Sequence, residues 1–241
     1  MNWKKRFFVL AALLVLLFST SVPAAGATPA LDSEPEDFDP EDFVREVTNP
    51  YFPLKPGTTF VYKGENEGAP LREVMTVTNN TKEIMEVTTT VVYHLAYEDG
   101  ALVEETYDWF AQDEDGNVWY FGEDTKELDE DGNVISTEGS WQAGIDGAEP
   151  GIVMLARPRK GKQYQLENAP GVAEDTAKVI GYKDSFCVPY KCFEDVLVIK
   201  EWNPLEKGFV EHKYFARGVG FIYSLAVRGG DEEISLVRVK R

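Results

Sequence analysis

The chain has 241 residues, with 42 Asp and Glu against 24 Lys and Arg, and carries a formal net charge of −18 at pH 7. This charge repels nucleic acid and anionic lipid, so neither is an expected partner. The acidic excess either keeps the surface solvated or serves to bind cations. The length fits one domain, and 12% aromatic residues is ample for one core.

The N-terminus has the pattern of a secretory signal peptide. Basic residues 4–6 precede the apolar run Phe7–Phe18, and the small residues Ala25-Gly26-Ala27 follow. The run is shorter than the roughly 20 residues of a membrane-spanning helix. We therefore expect residues 1–27 to be removed on export, leaving a secreted, periplasmic or otherwise extracytoplasmic protein with no membrane span in the mature form.

Residues 28–47 form a segment rich in Asp, Glu and Pro, which predicts an acidic linker ending in a short helix. Asp39 is a suitable N-cap, Pro40 suits the first helical position, and Glu41 and Asp42 complement the positive end of a helix dipole.

Residues 48–241 have the pattern of a single antiparallel β domain. Asp-Gly pairs begin at Asp99, Asp115 and Asp131, sixteen residues apart, and Asp-Gly favours two-residue hairpin turns. No helix is long enough for a parallel crossover. We predict an all-β meander of about 11–12 strands, forming a barrel, a half-barrel or a two-sheet sandwich. The predicted strands are 58–63, 71–78, 83–97, 101–112, 117–122, 133–137, 162–167, 173–183, 194–202, 209–216, 221–228 and 233–239.

Two sequence matches at nearly one offset indicate an internal duplication. Pro56–Phe60 resembles Lys160–Tyr164 at an offset of 104, and Trp109–Gln112 resembles Tyr214–Arg217 at an offset of 105. Shared strand composition arising by chance is the alternative.

The predicted half-repeats are residues 51–137 and 155–239. Between the two matches, Ile84–Val91 aligns with Phe193–Lys200 if the loop between the cysteines is an insertion. Two halves related by a pseudo-twofold axis would enclose a groove or lumen, which is a natural ligand site.

Strand alternation places large rings on both faces of the predicted sheet. Trp109 and Tyr107 share one face, opposite Asp108 and Phe110, so we expect both faces to be covered. Residues 138–159, which include Trp141, predict a loop that is either a lid or packed permanently on the core. The candidate ligand-binding residues are Asp108, Trp109, Trp119, Trp141, His212, Tyr214 and Arg217.

The sequence holds no catalytic signature, and we assign no catalytic residue, metal or cofactor. It has two histidines and no HExxH, G-x-S-x-G or phosphate-binding loop. Asp108 lies in mid-strand between two aromatic residues, and a buried carboxylate needs a partner, which Lys213 would supply. An undetected hydrolase using Asp108 or His212 is therefore one alternative.

Cys187 and Cys192 are the only cysteines, and they bracket four residues between two strand-like runs. In an exported protein this spacing predicts a disulfide that closes a hairpin loop. Free thiols or a metal site are the alternatives.

Two identical Asp-Glu-Asp-Gly-Asn-Val runs supply weak calcium candidates: Asp113, Asp115, Asp129 and Asp131. An EF-hand loop needs a full alternation of acids and a glutamate at position 12, which neither run has. Plain hairpin turns are the other interpretation.

Five segments carry a resemblance to an uncharacterised family of exported bacterial proteins. They are Asn49–Tyr62, Tyr107–Gln112, Gly116–Phe121, Val210–Ala216 and Gly218–Gly220. The resemblance spans most of residues 48–228 and implies no reaction.

A looser similarity, on the Pro-Leu-x-x-Gly entry at 53–57 and the Ala-x-Gly-Val-Gly exit at 216–220, is to envelope carrier proteins with half-barrel folds. It implies a non-enzymatic protein that binds or carries an apolar or amphipathic ligand, or another envelope component. A structural or interaction module of the cell surface, assisted by calcium, is the alternative.

Overall fold

The structure, a computed structural model, describes residues 38–241. The expected signal peptide and most of the acidic linker lie outside these residues. The described chain is all-β, with fifteen antiparallel strands in one sheet, which confirms the predicted fold class. The strands are β1 (Phe43–Val44), β2 (Thr59–Asn66), β3 (Ala69–Ile84), β4 (Val87–Glu98), β5 (Ala101–Asp113), β6 (Val118–Leu128), β7 (Val134–Ser136), β8 (Trp141–Gln142), β9 (Gly151–Met154), β10 (Gln163–Gln165), β11 (Thr176–Cys187), β12 (Cys192–Trp202), β13 (Val210–Ala216), β14 (Gly220–Arg228) and β15 (Glu233–Lys240).

Two meanders, β2 to β7 and β10 to β15, make up the main path of the sheet. Within each meander every strand pairs with the next one in sequence, so these contacts are local. The pairing of β15 with β2 joins the two meanders, with Glu233 opposite Glu65 and Lys240 opposite Thr59. We call this ladder the junction.

The two ends of the path meet through the segment after β7. β9 pairs with β6, with Ile152 opposite Trp119, and just before β9 the amide of Glu149 donates to the carbonyl of Asn168 at 2.9 Å. Asn168 follows β10, so the sheet curls around until the segment that pairs with β6 meets the segment next to β10. One face of the sheet therefore surrounds an interior.

The loop at residues 138–159 is packed on the core. Trp141, Ala143, Ile152 and Met154 are all buried, and both short strands of the loop pair with β6. This is the packed alternative of the two that the sequence leaves open.

Each of the twelve predicted strands has a counterpart, and the clearest difference is the turn between β3 and β4. Met85 and Glu86 form this turn with φ of +51° and +66°, conformations that usually select Gly or Asn, so the sequence carries no turn signal there. At the predicted short helix the described residues form a single 3-10 turn, Pro40–Asp42, whose first free amide is capped by Asp39.

The two meanders repeat the same hydrogen bonds at their first hairpin. The Gly57 amide donates to Val77 and the Gly161 amide donates to Val179, both at 2.8 Å. The return bonds, from Val77 to Thr58 and from Val179 to residue 162, are both 2.9 Å. This correspondence supports the predicted duplication.

The ladders shift the predicted alignment of the middle strands. Val91 lies opposite Trp109 on β5, and Val198 lies opposite Tyr214 on β13. Val91 therefore corresponds to Val198, two residues before the Lys200 that sequence alignment assigns to it.

The predicted disulfide is present and joins Cys187 to Cys192 at the β11–β12 hairpin. In the chain-entropy model, closing so short a loop stabilises the fold by about 2 kcal/mol. No helix among residues 38–241 is long and apolar enough to cross a membrane.

We expect Gly64→Ala to weaken the junction. A methyl group at Gly64 would overlap the main-chain carbonyl of Glu233 on β15, so the two strands would have to separate. The expected loss is about 3 kcal/mol or more of unfolding free energy, measured by urea denaturation. Lys63→Ala, on the exposed face of the same strand, is the control and should stay within about 0.5 kcal/mol of the wild type.

Candidate functional site

The interior of the curled sheet contains a cavity of about 250 Å³. It is lined by alternate residues of its strands, as the two-residue period of a strand requires. On β5 these residues are Glu104, Thr106, Asp108 and Phe110. Part of the lining is apolar and comes from both meanders, including Phe52, Phe60, Met75, Phe110, Phe215 and Phe221.

The polar part of the lining is dominated by carboxyl groups. Ten acidic residues face two basic ones, His94 and Lys213. Burying this many carboxylates is costly, so each must be protonated, hydrogen-bonded or paired. The acids are Glu73, Glu104, Asp108, Glu123, Glu167, Asp175, Glu201, Glu206, Glu211 and Glu232.

Asp108 and Glu123 share one tyrosine hydroxyl. The Oη of Tyr120 lies 2.7 Å from Asp108 Oδ1 and 3.0 Å from Glu123 Oε2. A phenol has one proton to donate, so both contacts are hydrogen bonds only when one carboxyl is itself protonated. Burial raises the pKa of both acids, and the charge of Asp108 raises that of Glu123 further.

His94 is the positive charge nearest to this group of acids. Burial alone would lower its pKa, but the neighbouring carboxylate of Glu73, 3.1 Å from Nε2, outweighs burial and raises the pKa to about 9. His94 is therefore an imidazolium at neutral pH.

Glu104 lies on the same wall of the cavity. It accepts a hydrogen bond from Thr106 at 2.9 Å, and burial raises its pKa to about 7 although His94 opposes that shift.

Lys213 is held between two carboxylates of the second meander. Its Nζ lies 2.7 Å from Glu201 and 3.1 Å from Glu211. Burial opposes its charge, but these two acids outweigh burial and hold the pKa of Lys213 well above its usual range.

The two halves carry opposite charges at corresponding positions. In the ladder alignment, Asp108 of β5 corresponds to Lys213 of β13, and His94 of β4 corresponds to Glu201 of β12. Each half thus has an acid and a base at these two positions, but with the order reversed; Lys213 contacts Glu201, whereas His94 acts on Asp108 through its charge and contacts Glu73.

Glu167, which follows β10, is fully buried at the cavity wall. When its carboxyl is ionised, Glu167 has no hydrogen-bond donor among residues 38–241, and the polar group beside it is the carboxyl of Asp175. Its neighbour Asp175, by contrast, accepts a bond of 2.9 Å from Asn203. Burial, and then the proximity of Asp175, raise the pKa of Glu167 well above its usual range.

The structure places one predicted ligand-binding residue, Asp108, on the cavity wall. Three predicted tryptophans lie elsewhere in the core. Trp109 packs under the ammonium of Lys82, 3.2 Å from the ring centroid. Trp119 donates its indole N–H to Asp113 at 2.8 Å, and Trp141 packs edge-on against the ring of Tyr120.

The remaining predicted residues also lie away from this cavity. Tyr214 stacks on Phe186 with centroids 4.7 Å apart. His212 is half-buried on the same face of β13, and burial and then Lys200 lower its pKa. The guanidinium of Arg217 lies over the ring of Tyr51 at 4.6 Å and borders a second, separate pocket.

The sequence divides the faces of β5 and β13 as the structure does, and its candidates on these strands were Trp109, His212 and Tyr214 from one face and Asp108 and Arg217 from the other. The other face, with Asp108, Phe110, Lys213 and Phe215, lines the cavity. The signal that would have identified this face is charge at mid-strand positions, because a charged side chain inside a sheet requires an interior partner.

The acidic turns are closed by their own side chains. Asp113 accepts hydrogen bonds from the amide and side chain of Asn117, and Asp129 accepts the same bonds from Asn133. Asp115 and Asp131 are exposed at the tips. Nowhere in the described range do three or more His, Cys, Asp or Glu residues converge as a metal site would require.

No family model and no curated protein matches this sequence. Among solved structures, the chain is similar to a provisionally named lipoprotein from Parabacteroides distasonis ATCC 8503. The TM-score is 0.43 at 13% sequence identity, over 79% of this chain and 98% of that chain. A likeness of this degree carries no conclusion about function.

We expect Glu104→Gln to change how stability depends on pH. Because the pKa of Glu104 rises from 4.5 to about 7 on folding, the folded state binds the extra proton between these values and loses stability as pH rises through them. The variant lacks this loss, so its melting temperature should exceed that of the wild type at pH 8 and match it or fall below it at pH 4. Thermal unfolding followed by circular dichroism across this range measures the difference.

The control is Glu105→Gln, on the opposite face of β5. It should leave the shape of the stability curve between pH 4.5 and 7 unchanged. Parallel curves for Glu104→Gln and the wild type would contradict the assignment of a raised pKa to Glu104.

Proposed function

We propose that this protein is an exported, non-enzymatic binding or carrier protein that holds a compact apolar or amphipathic ligand in the cavity. The observation that carries this proposal is the combination of a large apolar surface and a concentrated polar wall in one cavity. Small-molecule sites are typically apolar concavities with a few directed polar groups. The volume is below the roughly 300–1,000 Å³ of sites for drug-sized ligands, which favours a compact ligand.

Two features support export. The expected signal peptide is one, and the Cys187–Cys192 disulfide is the other, since disulfides persist in oxidising compartments outside the cytosol. An extracytoplasmic location would give the protein access to ligands of the cell envelope.

Met75→Trp should reduce ligand binding, because the larger indole would occupy cavity volume beside Phe60. The probe is 4-phenylbutan-1-ol, a neutral compound with an aromatic body and one polar end, titrated by isothermal calorimetry. We expect saturable binding to the wild type and a loss of about tenfold or more in Met75→Trp.

Met85→Trp is the matched control, since Met85 lies at the exposed tip of the same hairpin and outside the cavity. It should bind the alcohol like the wild type. Equal binding by both variants would contradict the proposal, as would a wild type that binds neither the alcohol nor the amine or carboxylate with the same body.

A hydrolase is the second candidate function, and the Asp108–Tyr120–Glu123 contact favours it. Both carboxyls touch one hydroxyl, so their oxygens lie within about 6 Å of each other, comparable to the carboxyl pair of retaining glycosidases. Raised pKa values suit a general acid. Asp108 would then be the nucleophile or base and Glu123 the acid.

This alternative predicts turnover of a p-nitrophenyl glycoside by the wild type, reduced about 100-fold or more in Asp108→Asn. Asp124→Asn, on the exposed side of β6, should retain full activity. Absence of turnover over a panel of pyranosides between pH 5 and 8 would reject the hydrolase.

A further inference from the structure

We infer that the ligand is an organic cation with an apolar body, and that the carboxylate of Glu167 receives its positive charge. This inference rests on the proposed binding function and specifies the chemical class of the ligand.

The first observation is that Glu167 differs from every other buried carboxyl group of the described residues. Each of the others is hydrogen-bonded to a side chain that is not a carboxyl, whereas the polar group beside Glu167 is the carboxyl of Asp175. Ionising Glu167 beside Asp175 would leave buried carboxylate oxygens without a donor, so the charged form needs a positive partner. The satisfied acids and their donors are Glu104 with Thr106, Asp108 and Glu123 with Tyr120, Asp113 with Trp119, Asp175 with Asn203, and Glu201 with Lys213.

The main chain holds Glu167 in this position. Its amide donates to the carbonyl of Asp175 at 3.1 Å, and its own carbonyl accepts from the side chain of Gln165 at 2.7 Å. The neighbouring Leu166 amide also donates to Asp175. These bonds fix the backbone on both sides of the Glu167 side chain.

The charged groups around Glu167 are mostly negative, which favours binding of a cation beside it. The charged groups that act on it are Asp175, Glu123 and Lys213. Lys213 is already bound between Glu201 and Glu211, so two neighbouring acids add negative charge and the one neighbouring base is engaged. A positive group in the cavity would restore the balance.

The raised pKa of Glu167 agrees with this assignment. The raised pKa favours the protonated form of the buried carboxyl. An ammonium group would enter with its charge, the carboxyl would lose its proton to solvent, and the resulting ion pair would leave the net charge of the cavity unchanged.

The chemistry of the lining favours an organic cation over a metal ion. No cluster of three or more ligating side chains is found in residues 38–241. The rings of Phe60, Phe110 and Phe215 offer an apolar surface beside the acids, and aromatic faces also attract ammonium groups. A primary amine supplies three donors, enough for Glu167 and its acidic neighbours.

Three probes with the same body and different ends test the inference: 4-phenylbutylamine, 4-phenylbutan-1-ol and 4-phenylbutyrate. Calorimetric titration of the protein at pH 7 should give the amine at least tenfold tighter binding than the alcohol, and the acid the weakest binding. Amine titrations in buffers of different ionisation enthalpy should report release of about one proton.

Glu167→Gln removes the charge and keeps the shape. We expect this variant to bind the amine about tenfold or more weakly than the wild type does. Its affinity for the alcohol should stay within about twofold of the wild-type value. Glu123→Gln, nearby on β6, is a second variant in case Glu167→Gln does not fold, and should also weaken the amine selectively. Glu130→Gln, in the exposed turn before β7, is the matched control and should bind all three probes like the wild type.

The outcomes separate the two proposals. If the alcohol binds as tightly as the amine, or if neither charge-removing variant weakens the amine, the cationic ligand is rejected while the binding function stands. If none of the three probes binds the wild type, the proposed function fails together with this inference.

Discussion

The pairing of β15 with β2 is the interaction on which the cavity depends. All other long ladders join strands that follow each other in sequence, and each meander could form them alone. This one ladder joins the end of the chain to its beginning and sets the two meanders edge to edge. Its close approach requires a glycine at residue 64, where a side chain would meet the backbone of β15. The interior exists because the junction holds the two curved meanders together along β15 and β2.

Ion pairs and hydrogen bonds of charged groups determine most of the packing of the cavity wall. An apolar lining alone would be more stable than one holding ten carboxyl groups, since buried charges rarely repay their desolvation. Specific contacts offset part of this desolvation cost. They are a tyrosine hydroxyl shared by two acids, an imidazolium beside Glu73, and a lysine held between two glutamates. Such an arrangement limits the number of ways the wall can pack. It also leaves Glu167 fully buried beside a second acid, Asp175.

The sequence predicts the fold better than the site. Strand alternation and Asp-Gly turns identify the main strands because both signals are local. The turn at Met85 and Glu86 carries no such signal, and the pairing of β15 with β2 joins residues that no local pattern relates. The two-residue period of a strand shows which side chains share a face. It does not show which face lies inside, because that depends on the direction in which the sheet curves. Aromatic residues occur on both sides, so Trp109 was as plausible a lining residue as Asp108 until the curvature was known.

The reversed charges of the two halves make the two ends of the interior electrostatically different. A shell built from two equivalent meanders would present the same environment after a half-turn, and a ligand could lie in it either way round. The exchange of an acid and a base between Asp108 and Lys213, and between His94 and Glu201, removes that equivalence. The cavity thus has an electrical polarity that the backbone lacks, and a molecule with two unlike ends would be held in one orientation.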